Sequence, residues 1–446
     1  MGYSFSNQRS VLLNGNLYTE TLDQPWFRVF HPPHLPIPDK LVNETAFGKH
    51  ELPPDDIYAP HEWTEEEKKY LPCLDLKCVC PYYSGKAVGS KCILQNGKLL
   101  KKAIRKEIRT LTDSERMLVE NALNKMKSAG IYDRISFVHK YGGMHEGPGF
   151  FTWHREYLKR AELIFRRFLP MGSQLGIPYW DSSLESHLPE PKDSLFFSNI
   201  FVGSTNENGY VNTGPYAHWN IMEGTRPVRR FIEDNSQGEV LNDARIDLVL
   251  NQTDINAVLA AVLPLEVFRN YLNIVFSWIN RKYINYRIQS CPIIIRDDRL
   301  LEYSHDYVHY FINGDMKQTF SSSSETREER ESAYPPAFPN CYPQKHFADS
   351  RLEELEPYTN QDALSNKYTD FMYAYEQRPK CDAAHGCDSR YLFCYTNKND
   401  QSRCMAKVRR GGNCAGFEGT DICYEGYCKQ GICINHNNHI DKYVMM

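Results

Sequence analysis

The chain has 446 residues, of which 41% are apolar and 24% are charged, and its formal net charge at pH 7 is −4. This composition is typical of a folded globular protein and not of a disordered one. The small negative charge gives no long-range attraction to nucleic acid or anionic lipid, so we expect neither nucleic acid nor a membrane as a partner. The length predicts one large domain with a smaller module. Two basic clusters, at 105–109 and 226–230, are expected to be solvated helix faces or to pair with carboxylates.

Sequence patterns predict three long helices after an irregular start. Residues 1–72 are rich in proline, histidine and aromatic residues and show no helical period, which predicts an irregular N-terminal extension. Thr112 and Glu115 have the spacing of a capping box, which predicts a helix that begins there and ends near Gly130. A third helix is expected from about Leu300 to Ile312. The segment GIPYWDSS at 176–183 is predicted to be a loop, and 321–333 to be a solvated linker.

The second helix is predicted from about Phe151 to Leu169, because Pro170 ends it. Its period places five side chains toward the interior: His154, Tyr157, Leu158, Ala161 and Phe165. It places five charged side chains toward solvent: Arg155, Glu156, Lys159, Arg160 and Arg166. A histidine therefore lies in the middle of the predicted apolar stripe.

The chain contains fourteen cysteines, and their density predicts disulfides and an oxidising compartment. Eight of them lie between Cys381 and Cys433, in a segment rich in Gly, Asn and Asp, which predicts a small disulfide module. Four more, Cys73, Cys78, Cys80 and Cys92, form a cluster near the front. Zinc is the alternative, but neither cluster has the paired spacing of a zinc ribbon. Eight cysteines allow 105 pairings, so the sequence does not give the connectivity.

The cysteines predict secretion, and two sequons at 43–45 and 251–253 agree with it. The first twenty residues, MGYSFSNQRSVLLNGNLYTE, have no apolar core and no cleavage signature of a leader. We therefore expect the true start to lie upstream of Met1. No apolar stretch reaches the roughly 18 residues that a membrane-spanning helix needs.

Five histidines in two groups suggest a paired metal site. His139, His145 and His154 lie within one motif, VHKYGGMHEGPGFFTWHREYLKR. A helix end, a glycine-rich loop and a second helix could bring these three imidazoles to one point, and neutral nitrogens suit copper, zinc or iron. His305 and His309 are four residues apart and share one helix face. A metalloprotease would need a glutamate after the first of the pair, where this chain has Asp306. Unrelated core or surface histidines are the remaining alternative.

These motifs resemble the tyrosinases, the type 3 copper oxidases. The resemblance rests on HKYGGMHEGPGFFTWHREYLKR, PYWDSS, GPYAHW and LEYSHDYVH, in that order, and on cysteine patterns similar to those of secreted invertebrate tyrosinases. It covers about residues 73–434. It implies a mainly α fold with a four-helix-bundle core that holds two coppers, CuA and CuB. By match to the motif, His139, His145 and His154 would bind CuA, while His305 and His309 would be two of the three CuB ligands.

The resemblance also implies a reaction and a domain organisation. Tyrosinases use O₂ to hydroxylate phenols or to oxidise catechols to o-quinones, so small phenolic molecules and O₂ are the expected partners. The setting expected from invertebrate relatives is an extracellular one, such as cuticle tanning or melanin formation. We predict an N-terminal extension at 1–72, a copper-binding domain at 73–375 and a Cys-rich disulfide module at 376–446.

The chain departs from the family after its third helix. Relatives carry a block similar to Asp-Pro-Ile-Phe-Phe-Leu-His-His, whose histidine completes CuB, and this block is absent near 316–324. An exon omitted from a gene model and a genuine loss would both produce this gap. Asp315, Met316 and His346 are substitute ligands on paper only. We therefore expect copper at CuA, an impaired CuB and doubtful catalysis by this chain as written.

Two smaller departures concern single residues. Asp306 stands where many relatives have an Asn that is thought to orient the water that deprotonates phenols, so we take Asp306 as the candidate catalytic residue. Its carboxylate could accept that proton directly, or its charge could disturb the site. Gly143 stands where some relatives carry a cysteine crosslinked to a ligand. Two other functions compete with catalysis. One is a catalytically inactive secreted scaffold of tyrosinase descent. The other is reversible O₂ binding as in haemocyanins, and the missing histidine and the Cys-rich tail disfavour this second function.

Overall fold

The computed structural model describes residues 8–13, 16–21, 62–145, 149–232, 238–251, 301–313, 349–382 and 384–435. The chain divides into two compact units, Met1–Tyr58 and Ala59–Met446. In the first unit, strands β1 (Gln8–Leu13) and β2 (Asn16–Thr21) form an antiparallel hairpin in which Leu13 pairs with Asn16. The sequence showed no helical period in this region, and two six-residue strands agree with that.

Helices dominate the second unit. They are α1 (Glu65–Tyr70), α2 (Asp113–Ser128), α3 (Ile131–Gly142), α4 (Gly149–Phe165), α5 (Asp243–Leu250) and α6 (Leu301–Ile312). Short 3₁₀ turns occupy Cys80–Tyr83, Ile108–Thr110, Arg166–Phe168, Ser182–Leu184, Pro191–Asp193, Leu195–Phe197 and Asp362–Leu364, and a π turn occupies Tyr368–Met372. The predicted mainly α class is confirmed. The six-residue α1 lies in the predicted N-terminal extension and is too short to show a period.

The strands of this unit are short and form two-stranded sheets. They are β3 (Lys86–Val88), β4 (Lys91–Ile93), β5 (Ala103–Arg105), β6 (Tyr373–Tyr375), β7 (Leu392–Thr396), β8 (Ser402–Ala406), β9 (Gly426–Lys429) and β10 (Ile432–Asn435). The pairs β3–β4, β7–β8 and β9–β10 are antiparallel, whereas β5 and β6 pair in parallel. The β5–β6 pair joins residues that are about 270 positions apart, so it ties the front of the unit to the chain that follows α6. Among the described residues, no helix combines the length and apolar character needed to cross a membrane.

Local signals placed the three predicted helices, α2, α4 and α6, within a few residues of their observed bounds, whereas no bounds were predicted for α3 and α5. The Thr112 hydroxyl accepts from the Glu115 amide at 3.1 Å, and the Glu115 carboxylate accepts from the Thr112 amide at 3.0 Å, which completes the predicted capping box of α2. α6 spans nearly the predicted residues. α4 ends at Phe165, and a 3₁₀ turn, Arg166–Phe168, continues it toward Pro170.

The predicted orientation of the charged face of α4 is wrong. Glu156, Lys159, Arg160 and Arg166 are buried, whereas Leu158 of the predicted inward stripe is 39% exposed. The reason is that chain segments cover α4 on almost every side, so its charged residues pair with partners inside the protein. Periodicity records where apolar residues are, and it does not detect charges that ion pairing makes tolerable in the interior.

The Glu156 carboxylate is the centre of this buried network. It accepts hydrogen bonds from Arg160 Nε at 2.7 Å and from the Tyr368 hydroxyl, and it lies 3.0 Å from Lys159 Nζ. The Lys159 ammonium donates to the carbonyls of Leu71 and Cys73.

The Arg160 guanidinium extends the network to the other side of α4. It donates to the carbonyls of Leu355 at 2.6 Å and Glu356 at 2.8 Å. Lys159 thus fixes α4 against the chain before β3, and Arg160 fixes it against the chain before β6.

The basic cluster at 105–109 pairs with carboxylates, as one of its two interpretations expected. Arg105 forms two hydrogen bonds with Glu162 at 2.8 and 3.1 Å, and Arg109 pairs with both Glu107 and Glu185. All five side chains are buried. Burial raises the pKa of the Glu185 carboxyl to about 7, against the opposing effect of Arg109.

Disulfides organise both cysteine clusters, so the predicted disulfides are confirmed and the zinc alternative is wrong for the described cysteines. The pairs are Cys73–Cys78, Cys80–Cys92, Cys381–Cys394, Cys387–Cys404, Cys414–Cys428 and Cys423–Cys433. No cysteine of the described part is free. Residues 381–433, called the Cys-rich module below, surround a small core that also contains Leu184 and Leu188. The domain boundaries at 72/73 and 375/376 stay predictions.

The buried network predicts a large difference between two glutamates that have the same local pairing. Glu156 and Glu65 each pair with a lysine three residues later, at 3.0 and 2.9 Å, but the first pair is buried and the second is exposed. Glu156→Ala should lower the free energy of unfolding by about 3–5 kcal/mol, because it leaves two buried cations without their carboxylate. Glu65→Ala should cause no measurable change. Denaturant unfolding with intact disulfides measures both, and equal losses would contradict the assignment.

The raised pKa of Glu185 predicts a pH dependence of stability. Its folded pKa lies above the unfolded value, so its contribution is fully present below about pH 4.5 and is lost as the pH rises through about 7. Glu185→Gln cannot ionise, so between pH 5 and 8 the variant should lose less stability than the wild type, by up to about 3 kcal/mol. Denaturant unfolding at several pH values measures this, with the exposed Glu207→Gln as control. A Glu185→Gln profile parallel to the wild type would contradict the prediction.

Candidate metal site

Three predicted histidines converge on one point. His139 lies near the end of α3, His145 in the loop after it and His154 on α4, so a helix end, a loop and a second helix each supply one ring. One ring nitrogen of each lies within 4.8 Å of those of the other two. The distance between His139 Nε2 and His154 Nε2 is 3.1 Å. The structure therefore brings these three together, whereas their role as copper ligands stays a prediction.

Glycines end α3 and allow the turn that brings His145 back. A Cβ atom on Gly142 would lie 2.8 Å from the Glu354 side chain and 2.9 Å from the Glu353 carbonyl. A Cβ atom on Gly143 would overlap the His139 carbonyl and lie 3.2 Å from the His145 ring. No side chain fits at either position, so the tight approach of the two histidines depends on both glycines.

The second histidine pair faces the first group across one phenylalanine ring. His305 Nε2 and His309 Nε2 on α6 are 2.6 Å apart. The Phe150 ring centroid lies 4.3 Å from that of His154, 5.7 Å from that of His145 and 5.1 Å from that of His305. The five predicted histidines therefore lie in one cluster, and their role as metal ligands stays a prediction.

Burial favours the unprotonated form of two rings of the first group, His139 and His154. It lowers the pKa of His139 to about 3, helped by the nearby rings of His145, His309 and His305. Burial, together with His139 and His145, also lowers the pKa of His154 well below its usual value. A neutral ring has a lone pair on one nitrogen, which is the form that binds a metal.

A backbone carbonyl determines which ring nitrogen of His154 carries the proton and which is free to bind a metal. Its Nδ1 lies 2.7 Å from the Phe150 carbonyl oxygen. In a neutral ring this contact requires the proton on Nδ1, because a carbonyl can only accept. The lone pair is then on Nε2, which points to His139.

The first group fits a metal ion better than the second pair does. Two nitrogens bound tetrahedrally at about 2.0 Å to one ion are about 3.3 Å apart, close to the 3.1 Å between His139 and His154. The nitrogens of His305 and His309 would have to separate. Within the described part of the chain, no further His, Cys, Asp or Glu atom completes a group of three with this pair.

The other predicted site residues are not placed by the structure. Asp306 lies on α6 between the two histidines, but its side chain is outside the described residues, so its catalytic role stays a prediction. Asp315, Met316 and His346, the substitute ligands, also lie outside the described residues. His218 of the GPYAHW motif is exposed.

Comparison with known proteins identifies the family. The family profile described as the common central domain of tyrosinase matches residues 129–326, which include all five histidines. The Caenorhabditis elegans tyrosinase-like protein tyr-3 is 34% identical over 395 residues, which are 82% of this chain and 52% of that protein. This chain belongs to the tyrosinase family. The family supports copper as the metal of this site.

Two other proteins are similar to this tyrosinase-family chain. Tyrosinase-like protein 1 of Margaritifera margaritifera is 25% identical over 68% of this chain and 61% of that protein. A functional unit of octopus hemocyanin matches with a TM-score of 0.29 and 18% identity over 62% of this chain and 68% of that one, and no argument rests on it. The chain spans about half to three fifths of the length of the nematode and Margaritifera relatives.

The sequence analysis missed Phe150, which contacts both histidine groups. The signal was present, because Phe150 precedes His154 by four residues and therefore shares its helix face. It also missed Glu353 and Glu354, whose carbonyls accept from the indoles of Trp153 at 2.9 Å and Trp63 at 2.6 Å. These contacts join residues about 200 to 290 positions apart, and a single sequence carries no signal for them.

The convergence of the first group predicts its contribution to metal binding. His154→Ala should weaken Cu(II) binding by more than about 100-fold, because even changes beyond the direct ligands cost about 10–100-fold. His218→Ala, at an exposed position, should leave the affinity unchanged. Competition with a chelator of known affinity measures both variants. Equal affinity of His154→Ala and the wild type would contradict the site.

Proposed function

We propose that this protein has the copper site of a tyrosinase-type oxidoreductase, whose complete form hydroxylates phenols or oxidises catechols to o-quinones with O₂. Its proposed partners are small phenolic molecules and O₂. The observation that supports the proposal is the convergence of three imidazoles beside a second histidine pair, with the pKa of His139 and His154 lowered by burial. Copper in such a set supplies one-electron redox chemistry and, as a pair, the two-electron reduction of O₂.

Each residue of the site has a proposed task. His139, His145 and His154 hold the first copper, and His305 and His309 supply two ligands of the second. The Phe150 carbonyl orients His154. Phe150 is only 7% exposed, and its ring fills the space between the two histidine groups. We propose that Asp306 accepts the proton of the phenol, either directly or through a water molecule.

The second copper position is incomplete in this sequence, and we propose that turnover is lost with it. Two imidazoles hold an ion less firmly than three, and loss of a direct ligand costs more than the loss of its supporting contacts. The chain as written would then hold one copper firmly and act as a secreted scaffold of tyrosinase descent. The six disulfides of the described residues support an extracellular location, and we propose cuticle tanning or melanin formation as the setting.

Insertion of the missing block tests both parts of this proposal. In the first variant, the block Asp-Pro-Ile-Phe-Phe-Leu-His-His is inserted into the stretch between Met316 and Phe320. The matched control carries the same insertion with both of its histidines replaced by alanine. We expect one copper per chain and no oxidation of L-DOPA or catechol for the unmodified chain and for the control. The restored chain should bind two coppers and oxidise catechol, measured by copper analysis and quinone absorbance.

The outcomes separate the copper site from the lost activity. Two coppers with turnover in the unmodified chain would show that the second site is complete after all. If none of the three forms binds copper, the proposal that this is a copper protein is rejected. Sequencing the transcript across codons 310–330 adds a direct check, because a transcript that contains the block would make the restored form the natural enzyme.

A further inference from the structure

The Cys-rich module forms backbone hydrogen bonds with the chain segment 191–201. The Leu195 amide donates to the Lys407 carbonyl at 2.8 Å, and Ser194 pairs with Val408 as in a short sheet. Asp193 accepts from the amides of Arg409 and Asn413 at 2.9 and 2.8 Å. The segment is therefore held along its first half by the module.

The other side of the same segment contacts helix α6. Phe197 lies 6.1 Å from Phe311 between ring centroids, and both are buried in one cluster. That cluster consists of Leu195, Phe196, Phe197, Phe201, Val240, Phe311 and Tyr391. Phe311 is two residues from His309, so the segment packs against the helix that carries the second histidine pair.

Tyr391 connects the module to this cluster. Its ring lies 4.9 Å from Phe201, and only 2% of the residue is exposed. Its hydroxyl donates to Asp113 at 2.6 Å and accepts from Arg116 at 2.5 Å, both on the first turn of α2. Tyr391 thus fixes the module to α2 and to the aromatic cluster together.

A second stretch of chain approaches α6 very closely. The Glu239 amide donates to the Tyr307 carbonyl at 3.1 Å, and a Cβ atom on Gly238 would overlap the backbone of Tyr310 and Phe311. Val240, two residues on, belongs to the aromatic cluster. The cluster therefore supports α6 from two chain segments.

We propose that the Cys-rich module is a brace that positions helix α6, and hence His305 and His309, through Tyr391, Phe201 and Phe197. A twelve-residue helix is marginally stable alone, so its position depends on the surfaces that pack against it. The first histidine group lies on α3, α4 and the loop between them, and it does not depend on this cluster. The inference concerns the position of α6 and holds with or without copper.

Amide hydrogen exchange of the full, disulfide-intact chain tests the brace. Tyr391→Ala should raise the exchange rate within 301–312 by about tenfold and leave 149–165 unchanged, because α6 packs against the aromatic cluster and residues 149–165 do not. The matched control is Tyr395→Ala, the same change in the same module, where the ring packs on Phe417 at 5.0 Å. It should leave both helices unchanged.

A milder pair keeps the test decisive if Tyr391→Ala does not fold. Phe201→Leu keeps an apolar side chain but removes the ring that meets Tyr391, and Phe417→Leu is its control inside the module. Faster exchange in 301–312 with Phe201→Leu alone supports the brace. Unchanged exchange there in the folded variants of Tyr391 and Phe201, or an equal rise in the controls, overturns it. Neither result depends on copper, so it stands apart from the test of the oxidase.

Discussion

Helix α4 must present His154 on one face while the rest of the protein surrounds its other faces, and this constraint shapes the unit Ala59–Met446. Glu156 meets the constraint because it neutralises Lys159 and Arg160 on the face opposite the histidine. The same two cations donate to backbone carbonyls that are far away in sequence, so the network that makes their burial tolerable also joins distant chain segments. A ligand-bearing helix held in this way cannot rotate easily, which favours a fixed direction for the His154 ring.

Three helices, α2, α4 and α6, could be predicted, and the first two carry local signals at one end. Thr112 and Glu115 define the start of α2 within the sequence itself, and Pro170 limits α4 in the same manner. The burial of the charged face of α4 could not be predicted, because the backbone carbonyls that accept from Arg160 lie about 195 residues away. The disulfide pairs are a similar case, since cysteine spacing alone allows many connectivities.

The candidate site, like the fold, has one part that could be predicted from the sequence and one part that could not. Three histidines could be assigned to one point because a motif of sixteen residues, His139 to His154, contains all of them. The family profile spans all five histidines, so family membership and the two histidine groups rest on the same part of the chain. The meeting of both groups at Phe150 depends on how α6 lies against α4, which no local pattern encodes. The missing block remains a sequence observation, because residues 314–348 lie outside the described part.

The steric situation at Gly143 limits how this site can change through evolution. Some relatives carry a cysteine at the matching position, but any Cβ here would overlap the His139 carbonyl. A cysteine at this position would therefore require the loop to shift away from α3. The position of the His145 ring thus depends on the absence of a side chain at Gly143, so even an alanine there would displace the loop that brings His145 to the first histidine group.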